Sequence, residues 1–167
     1  KKGFDLVLDA AHFTDYRIKK QGYTVLAKMP DTVSFSIITR DDKFILDPEE
    51  LISLRVATMP SPSLGALRLE ELFTNPMRIP IFVWELNTTV AVDNVISGKV
   101  DAAIIPTRLA STYDNLNIVM TTEPVPHMAL SASPDVPVEV QNKIRQALIN
   151  ANTTKSGKAM LTKLKLD

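Results

Sequence analysis

The chain has 167 residues, 45% of them hydrophobic, a composition that is ordinary for a globular protein able to bury a core. Nineteen basic residues balance nineteen acidic residues, so no net charge favours nonspecific binding to nucleic acid or to an anionic membrane surface. The chain has no cysteine, which excludes disulfides, thiolate zinc sites and a cysteine nucleophile.

The sequence indicates neither a membrane span nor a signal peptide. No apolar run approaches the roughly 20 residues that a membrane span needs. Lys1, Lys2 and Gly3 are not followed by the pattern of a signal peptide. We therefore expect no membrane span in this chain, and we expect the natural start of the protein to precede Lys1.

The first elements are predicted from short apolar runs and the residues that interrupt them. Residues 4–9 form an apolar run typical of a strand buried on both faces, and residues 12–21 follow as a helix ended by Gly22. Residues 23–29 and 33–39 are rich in β-branched and aromatic side chains and are separated by Pro30 and Asp31. They predict two further strands joined at a turn or crossing.

From residue 55 the predicted strands and helices alternate. The strands cover residues 55–59, 81–86, 100–105 and 117–120, and the helices cover 63–73, 89–97 and a segment after Pro106. Such alternation predicts parallel strands with right-handed crossovers in an α/β sheet covered on both faces. A strand at 128–133, a helix beginning at Pro137 and a last helix carrying Met160, Leu161 and Leu164 complete the pattern.

Three segments, taken together, resemble the substrate-binding proteins of phosphate, phosphite and phosphonate ABC importers, and their order and spacing match across nearly the whole chain. They are FDLVLD at 4–9 with AHF at 11–13 and GYTVLA at 22–27; VA at 56–57 with PSPSLG at 60–65 and GKVDAA at 98–103; and PVPH at 124–127 with the strand and the helix that follow.

The resemblance implies a type 2 periplasmic-binding fold, with two α/β lobes, two crossings between them and a ligand enclosed as the lobes close. On this template residues 32–124 are a complete second lobe, and residues 1–31 and 125–167 are the later part of the first lobe. The family places a strand-helix-strand unit before Phe4. We therefore expect the strand at 4–9 to be paired with a separate polypeptide or displaced from its family position.

The first candidate site lies after the strand at 55–59. Ser61 and Ser63 follow the end of a predicted parallel strand and open a helix, where ligands collect in α/β sheets and where free N–H groups favour an anion. The alternative is that Ser63 only caps its helix. Gly65 is interpreted as allowing close approach of a ligand, with helix packing as the alternative.

The second candidate helix start carries Asn87 and Thr88, with Thr89 behind them. It is a second N-terminus suited to an anion, and we expect it to face the same cleft as Ser63. Plain capping is again the alternative. Many phosphonate-binding relatives have histidine where this chain has Thr88, so a neutral hydroxyl replaces a potential cation.

The remaining candidates come from the first lobe. His12 and Phe13 match the family loop whose aromatic residue lines the cleft, and His127 follows the second crossing; ordinary packing and a structural hydrogen bond are the respective alternatives. Two histidines so far apart in sequence predict no metal site. No phosphate-loop, GxGxxG or Ser-His-Asp pattern predicts a cofactor or a nucleophile.

The sequence therefore predicts a receptor rather than an enzyme. It is expected to capture a small oxyanion, with phosphate, phosphite and phosphonate as candidates, and to deliver it to an ABC permease from the periplasm or from a membrane anchor outside the cytoplasm. Nucleic acid is not an expected partner. Two alternatives remain open: a ligand-sensing input domain of a signalling protein, and an enzyme on the same scaffold.

Overall fold

The structure is a computed structural model that describes residues 3–164. The strands are β1 (Leu6–Ala10), β2 (Thr24–Lys28), β3 (Thr32–Val33), β4 (Phe35–Arg40), β5 (Arg55–Thr58), β6 (Ile81–Trp84), β7 (Ala102–Pro106), β8 (Leu116–Thr121), β9 (Val125–Pro126) and β10 (Met128–Ala132). The helices are α1 (Ala11–Gln21), α2 (Leu64–Leu72), α3 (Thr88–Ile96), α4 (Thr107–Ala110), α5 (Val138–Ile149) and α6 (Lys155–Leu164). In the described range, none of these helices has both the length and the apolar character needed to cross a bilayer.

The chain forms two compact units. The described residues of 1–32 and 125–167 make the first unit, and residues 33–124 make the second. The chain passes between the units twice, and the short strands β3 and β9 at these passages pair with each other. The second unit is therefore a continuous segment, whereas the first is built from two separate parts of the sequence.

The first unit contains a three-stranded sheet in the order β1-β10-β2, and β10 runs antiparallel to both neighbours. Strand β1 lies at the edge, with Leu6 41% and Leu8 46% exposed. The prediction that this strand is buried on both faces is therefore wrong for the described residues. Its apolar pattern is real, but among these residues only β10 pairs with it and one face of the sheet stays open.

An open apolar groove of about 990 Å³ runs along this face of the first unit. Leu8 and Leu130 line it from the sheet, and Met160 and Leu164 line it from α6.

On α1, the predicted helix end is confirmed, because Gly22 adopts φ 70° and its N–H donates to the carbonyl of Arg17. Glycine has no Cβ, so it takes this left-handed conformation at little cost and is the usual residue at such a helix end.

The second unit contains a five-stranded sheet in the order β6-β5-β7-β4-β8. Strands β5, β6 and β7 are parallel, as the alternation predicts. Strand β4 differs, because it lies antiparallel between β7 and β8, and among residues 3–164 β8 pairs only with β4. The sheet is therefore mixed, since the chain enters this unit as a strand that runs opposite to the crossover strands.

Helices cover both faces of this sheet, as predicted. On one face Ile38, Ala103 and Ile105 pack with α3 residues Ala91, Val92 and Val95. On the other face Ile37, Ala102 and Ile104 pack with α2 residue Leu69. Consecutive strand residues thus point to opposite cores, which explains why β4 and β7 are apolar at nearly every position.

The direction of the strands decides which groups share an edge. The carboxyl ends of β5, β6, β7 and β8 lie along the same edge as the start of β4. Helices α2, α3 and α4 all follow strand ends on this edge. Ligands in open α/β sheets bind outside the carboxyl ends of parallel strands, which makes this edge the place to look for a site.

Candidate functional site

The amino end of α2 is held by Ser63. The Ser63 Oγ accepts a hydrogen bond from the amide of Ala66 at 3.2 Å and donates its own proton to the carbonyl of Met59 at 2.9 Å. A serine hydroxyl has one proton to give, and here that proton is used inside the protein. The structure thus shows Ser63 as a helix cap, and contact between Ser63 and a ligand stays a prediction.

The cap leaves two amides of α2 available. The N–H groups of Leu64 and Gly65 lie in the first turn, where no partner exists inside the helix. Gly65 is itself buried, and a Cβ at this position would meet Thr58 Oγ1 at 3.2 Å and Ile104 Cγ2 at 3.4 Å. Gly65 therefore lets α2 lie close against the sheet, which brings the two free amides near the edge.

The amino end of α3 is built in the same way. The Asn87 Oδ1 accepts from the amide of Val90 at 3.0 Å, so Asn87 is the cap. The amides of Thr88 and Thr89 occupy the first turn and lack intrahelical partners. The Thr88 side chain lies at the mouth of this helix start and is half-buried.

The two helix starts open on one small, shallow depression of about 10 Å³, far smaller than the groove of the first unit. Ser63 and Gly65 line it from α2, Thr88 lines it from α3, and Thr58 and Pro106 line it from the strand ends. Ser61 is exposed and does not line it. No charged side chain is among the lining residues, so an anion there would be held by amide and hydroxyl dipoles.

A chain of hydroxyl groups lies at the same edge, and the sequence interpretation did not single it out. Ser34 Oγ and Ser36 Oγ each donate to Thr107 Oγ1 at 2.9 Å, and Ser36 Oγ also bonds Thr121 Oγ1 at 2.9 Å. Position in the sequence was the signal that could have found these hydroxyl groups. Thr107 directly follows the buried strand β7, and Thr88 follows the end of β6 by a few residues. The same rule that selected Ser61 applies to Thr107.

The candidates in the first unit have separate surroundings. His12 and Phe13 lie in the first turn of α1, with ring centroids 4.1 Å apart. His127 Nδ1 lies 3.2 Å from Asp31 Oδ1, so the two residues that flank the passages between units are paired. His127 therefore makes a hydrogen bond of the structural kind, and its contact with a ligand stays a prediction.

Charged groups gather at the opposite edge of the second sheet. Arg40, at the end of β4, donates from Nε and Nη2 to the two carboxylate oxygens of Asp42, each at 2.7 Å. This hydrogen bonding lowers the pKa of Asp42 and raises the pKa of Arg40.

In the part of the chain that the structure describes, no three His, Cys, Asp or Glu residues are grouped so that they could hold a metal ion.

Comparison with known proteins decides the family. The family model for periplasmic substrate-binding proteins of phosphonate ABC transporters matches residues 4–167. The chain belongs to this family. No curated protein matches the chain in sequence.

Solved structures support the same fold. XAC2383 from Xanthomonas citri, bound to ATP, matches with a TM-score of 0.78 at 15% identity over 94% of this chain and 67% of its own. PhnD1 from Prochlorococcus marinus, in complex with methylphosphonate, matches with a TM-score of 0.74 at 16% identity over 97% of this chain and 70% of its own. A binding protein component of an ABC phosphonate transporter from Pseudomonas aeruginosa matches with a TM-score of 0.75 at 15% identity over 97% of this chain and 61% of its own.

These likenesses establish the type 2 periplasmic-binding fold, and this chain spans about two thirds of the length of those proteins. The family confirms the predicted role in solute capture for ABC import and its location outside the cytoplasm. Its members are transport proteins that work with a permease and a small ligand. Neither the sensory nor the enzymatic alternative is favoured by the match.

Proposed function

We propose that the second unit binds the oxygens of a phosphorus oxyanion at the amino ends of α2 and α3. The observation that carries the proposal is that two helix starts, each with free first-turn amides, open on one depression without charged residues. Amides and helix dipoles bind an anion without needing a fixed counter-charge. The Thr88 hydroxyl adds a donor where many relatives have histidine.

The ligands seen in two similar structures support the choice of phosphorus. ATP in the Xanthomonas protein and methylphosphonate in the Prochlorococcus protein share a tetrahedral phosphorus with several negative oxygens. The group that would sit at the helix starts is common to both. We therefore take phosphate, phosphite and phosphonates as the substrate class, with the substituent on phosphorus left for other residues to select.

The finer parts of the function belong to the same proposal. Residues 32–124 act as the complete second lobe, residues 1–31 and 125–167 belong to the first lobe, and His12 and Phe13 select among substituents. The protein delivers its ligand to an ABC permease, free in the periplasm or tethered at the outer face of the membrane. It catalyses no reaction, needs no cofactor, and its balanced charge suits no nucleic-acid partner.

Titration calorimetry of the purified protein tests this proposal. Phosphate, phosphite, methylphosphonate, aminoethylphosphonate and sulfate are compared as ligands. We expect binding of at least one phosphorus oxyanion, and we expect Thr88→Val to weaken it about ten-fold, the effect of one hydrogen bond to a charged group. Binding of sulfate alone, or of none of the five, would overturn the proposed substrate class.

A second variant addresses selection. His12→Ala is expected to change the ranking of phosphate against substituted phosphonates, because all candidates share the negative oxygens that the second unit recognises. Thr88→Val is the matched comparison, since it should weaken all of them to a similar degree. An unchanged ranking in His12→Ala would remove His12 from the site.

A further inference from the structure

The amide, the carbonyl and the hydroxyl oxygen of Thr107 all take part in hydrogen bonds, and its hydroxyl proton is left to donate. Its amide donates to the carbonyl of Ser34 at 2.9 Å, and its carbonyl accepts from the amide and the hydroxyl of Ser111, each at 3.1 Å. Its Oγ1 accepts from Ser34 Oγ and from Ser36 Oγ. A hydroxyl has two lone pairs and one proton, so both lone pairs are occupied and the proton remains.

The direction of the hydroxyl chain follows from counting protons. Ser36 gives its single proton to Thr107, so Thr121 must be the donor in the bond between Thr121 and Ser36. The chain therefore runs from Thr121 through Ser36 to Thr107, and Ser34 joins it at the same oxygen. Hydrogen bonds arranged in one direction polarise one another, which makes the Thr107 proton a stronger donor.

This donor lies at the edge where the proposed site is. Thr107 directly follows Pro106, which lines the depression together with Ser63 and Thr88. Ser36 is fully buried and therefore holds its position inside the sheet, whereas Thr121 at the start of the hydroxyl chain is exposed. Thr107 itself is half-buried and lies next to the depression without lining it.

Resting on the proposed function, we infer that the Thr107 hydroxyl is a further contact to the phosphorus oxyanion, with Ser34, Ser36 and Thr121 as positioning residues. Because its lone pairs are filled, Thr107 can donate but cannot accept. It therefore favours a deprotonated oxygen over a P–OH group or an amine. The affinity should accordingly rise with pH as the ligand loses its second proton, and part of that rise depends on Thr107.

The test compares four variants by calorimetry with methylphosphonate and with inorganic phosphate, on both sides of the ligand's second ionisation. Thr107→Val keeps the shape and removes the hydroxyl, and Thr107→Ser restores the hydroxyl. Ser36→Ala removes one of the two donors to Thr107. Thr112→Val is the matched control, because the Thr112 hydroxyl is exposed and donates to the carbonyl of Leu109 at 2.7 Å in the same segment.

We expect Thr107→Val to lower the affinity at the higher pH about ten-fold and to flatten its rise with pH. Thr107→Ser should bind within about two-fold of the unmodified protein, Ser36→Ala should show a smaller loss, and Thr112→Val should show none. Unchanged affinity and an unchanged pH profile in Thr107→Val, while Thr88→Val is weakened, would overturn this inference alone. Equal losses in Thr107→Val and Thr107→Ser with a lowered Tm would also overturn it, because they indicate packing. If the unmodified protein binds neither ligand, this inference is overturned, and so is the proposed binding of methylphosphonate and phosphate.

Discussion

Ser63 Oγ donates its proton to the carbonyl oxygen of Met59 at 2.9 Å, four residues before it in the chain. The sequence hypothesis placed Ser63 at the anion site, with capping of α2 as the alternative. The bond to Met59 closes the turn that leads from β5 into α2, and the same oxygen accepts the amide of Ala66. Ser63 therefore orients the helix start, and the free amides behind it are the groups available to an anion.

Replacement of Ser63 separates capping from ligand contact. We expect Ser63→Ala to lower the free energy of unfolding by about 1 kcal/mol, and Ser63→Gly to lower it by only a few tenths, because glycine is tolerated at a helix cap. Urea denaturation measures both. A ten-fold loss of anion affinity in both variants at unchanged stability would show instead that Ser63 contacts the ligand.

Gly98 ends the segment after α3 with φ 73°, a left-handed conformation. Gly98→Ala should destabilise the protein by about 1–2 kcal/mol, because a Cβ clashes with the backbone in this conformation. Gly98→Asn is the matched control, since asparagine tolerates left-handed backbone better than alanine does. Equal stability of the alanine and asparagine variants in chemical denaturation would contradict this account.

Gly157 lies where α6 meets the turn at Ala151–Thr153. A Cβ at this position would fall on the carbonyl group of Ala151, closer than real side-chain contacts allow. Gly157→Ala should therefore cost about 1–3 kcal/mol by overpacking and lower the hydrogen-exchange protection of α6. Ser156→Ala, an exposed neighbour on the same helix, should leave that protection unchanged. Full protection in the Gly157 variant would show that the helix shifts at no cost.

Asp42 gives the expected pH dependence. Its hydrogen bonds from Arg40 lower its pKa below the usual 3.8, so the folded state binds a proton less readily than the unfolded state. The resulting stabilisation is present above the unfolded pKa and is lost as the pH falls through the lowered one. We expect Asp42→Asn to remove this part of the acid sensitivity and Asp41→Asn to leave it. Both groups are exposed, so the effect is small, and identical acid-denaturation profiles for Asp42→Asn and the unmodified protein would contradict it.

The sequence predicted the elements of the second unit well, because their signals are local. Gly98 follows the end of α3 in a left-handed conformation that glycine adopts most readily, and the apolar runs of β5 and β7 mark strands between two helical layers. The direction of β4 could not be read in this way. Its apolar pattern is the same in either direction, and only pairing with β7 and β8 decides it.

The candidate site was predictable as a place and less so as a set of side chains. Strand ends and helix starts led to Ser63 and Thr88, which line one depression, and to Asn87, which caps α3. The use of each hydroxyl proton was not predictable, because it depends on the carbonyl of Met59 in one case and on Ser36 in the other. The contact between Ser63 and Met59 is local, but spacing does not tell whether the proton goes to that carbonyl or to a ligand. The contact between Ser36 and Thr107 joins residues that are far apart in the sequence.

The antiparallel placement of β4 brings together the first and last strands of the second unit. Phe35 donates its amide to the Thr122 hydroxyl at 3.0 Å, and Thr122 returns its own amide to the carbonyl of Phe35 at 2.8 Å. The second unit thus resembles an inserted domain whose two ends are hydrogen-bonded to each other. A short Gly/Ser link between residues 33 and 124 should permit circular permutants opened in the exposed turn near Asp41, and such permutants should retain the circular dichroism of a folded α/β unit.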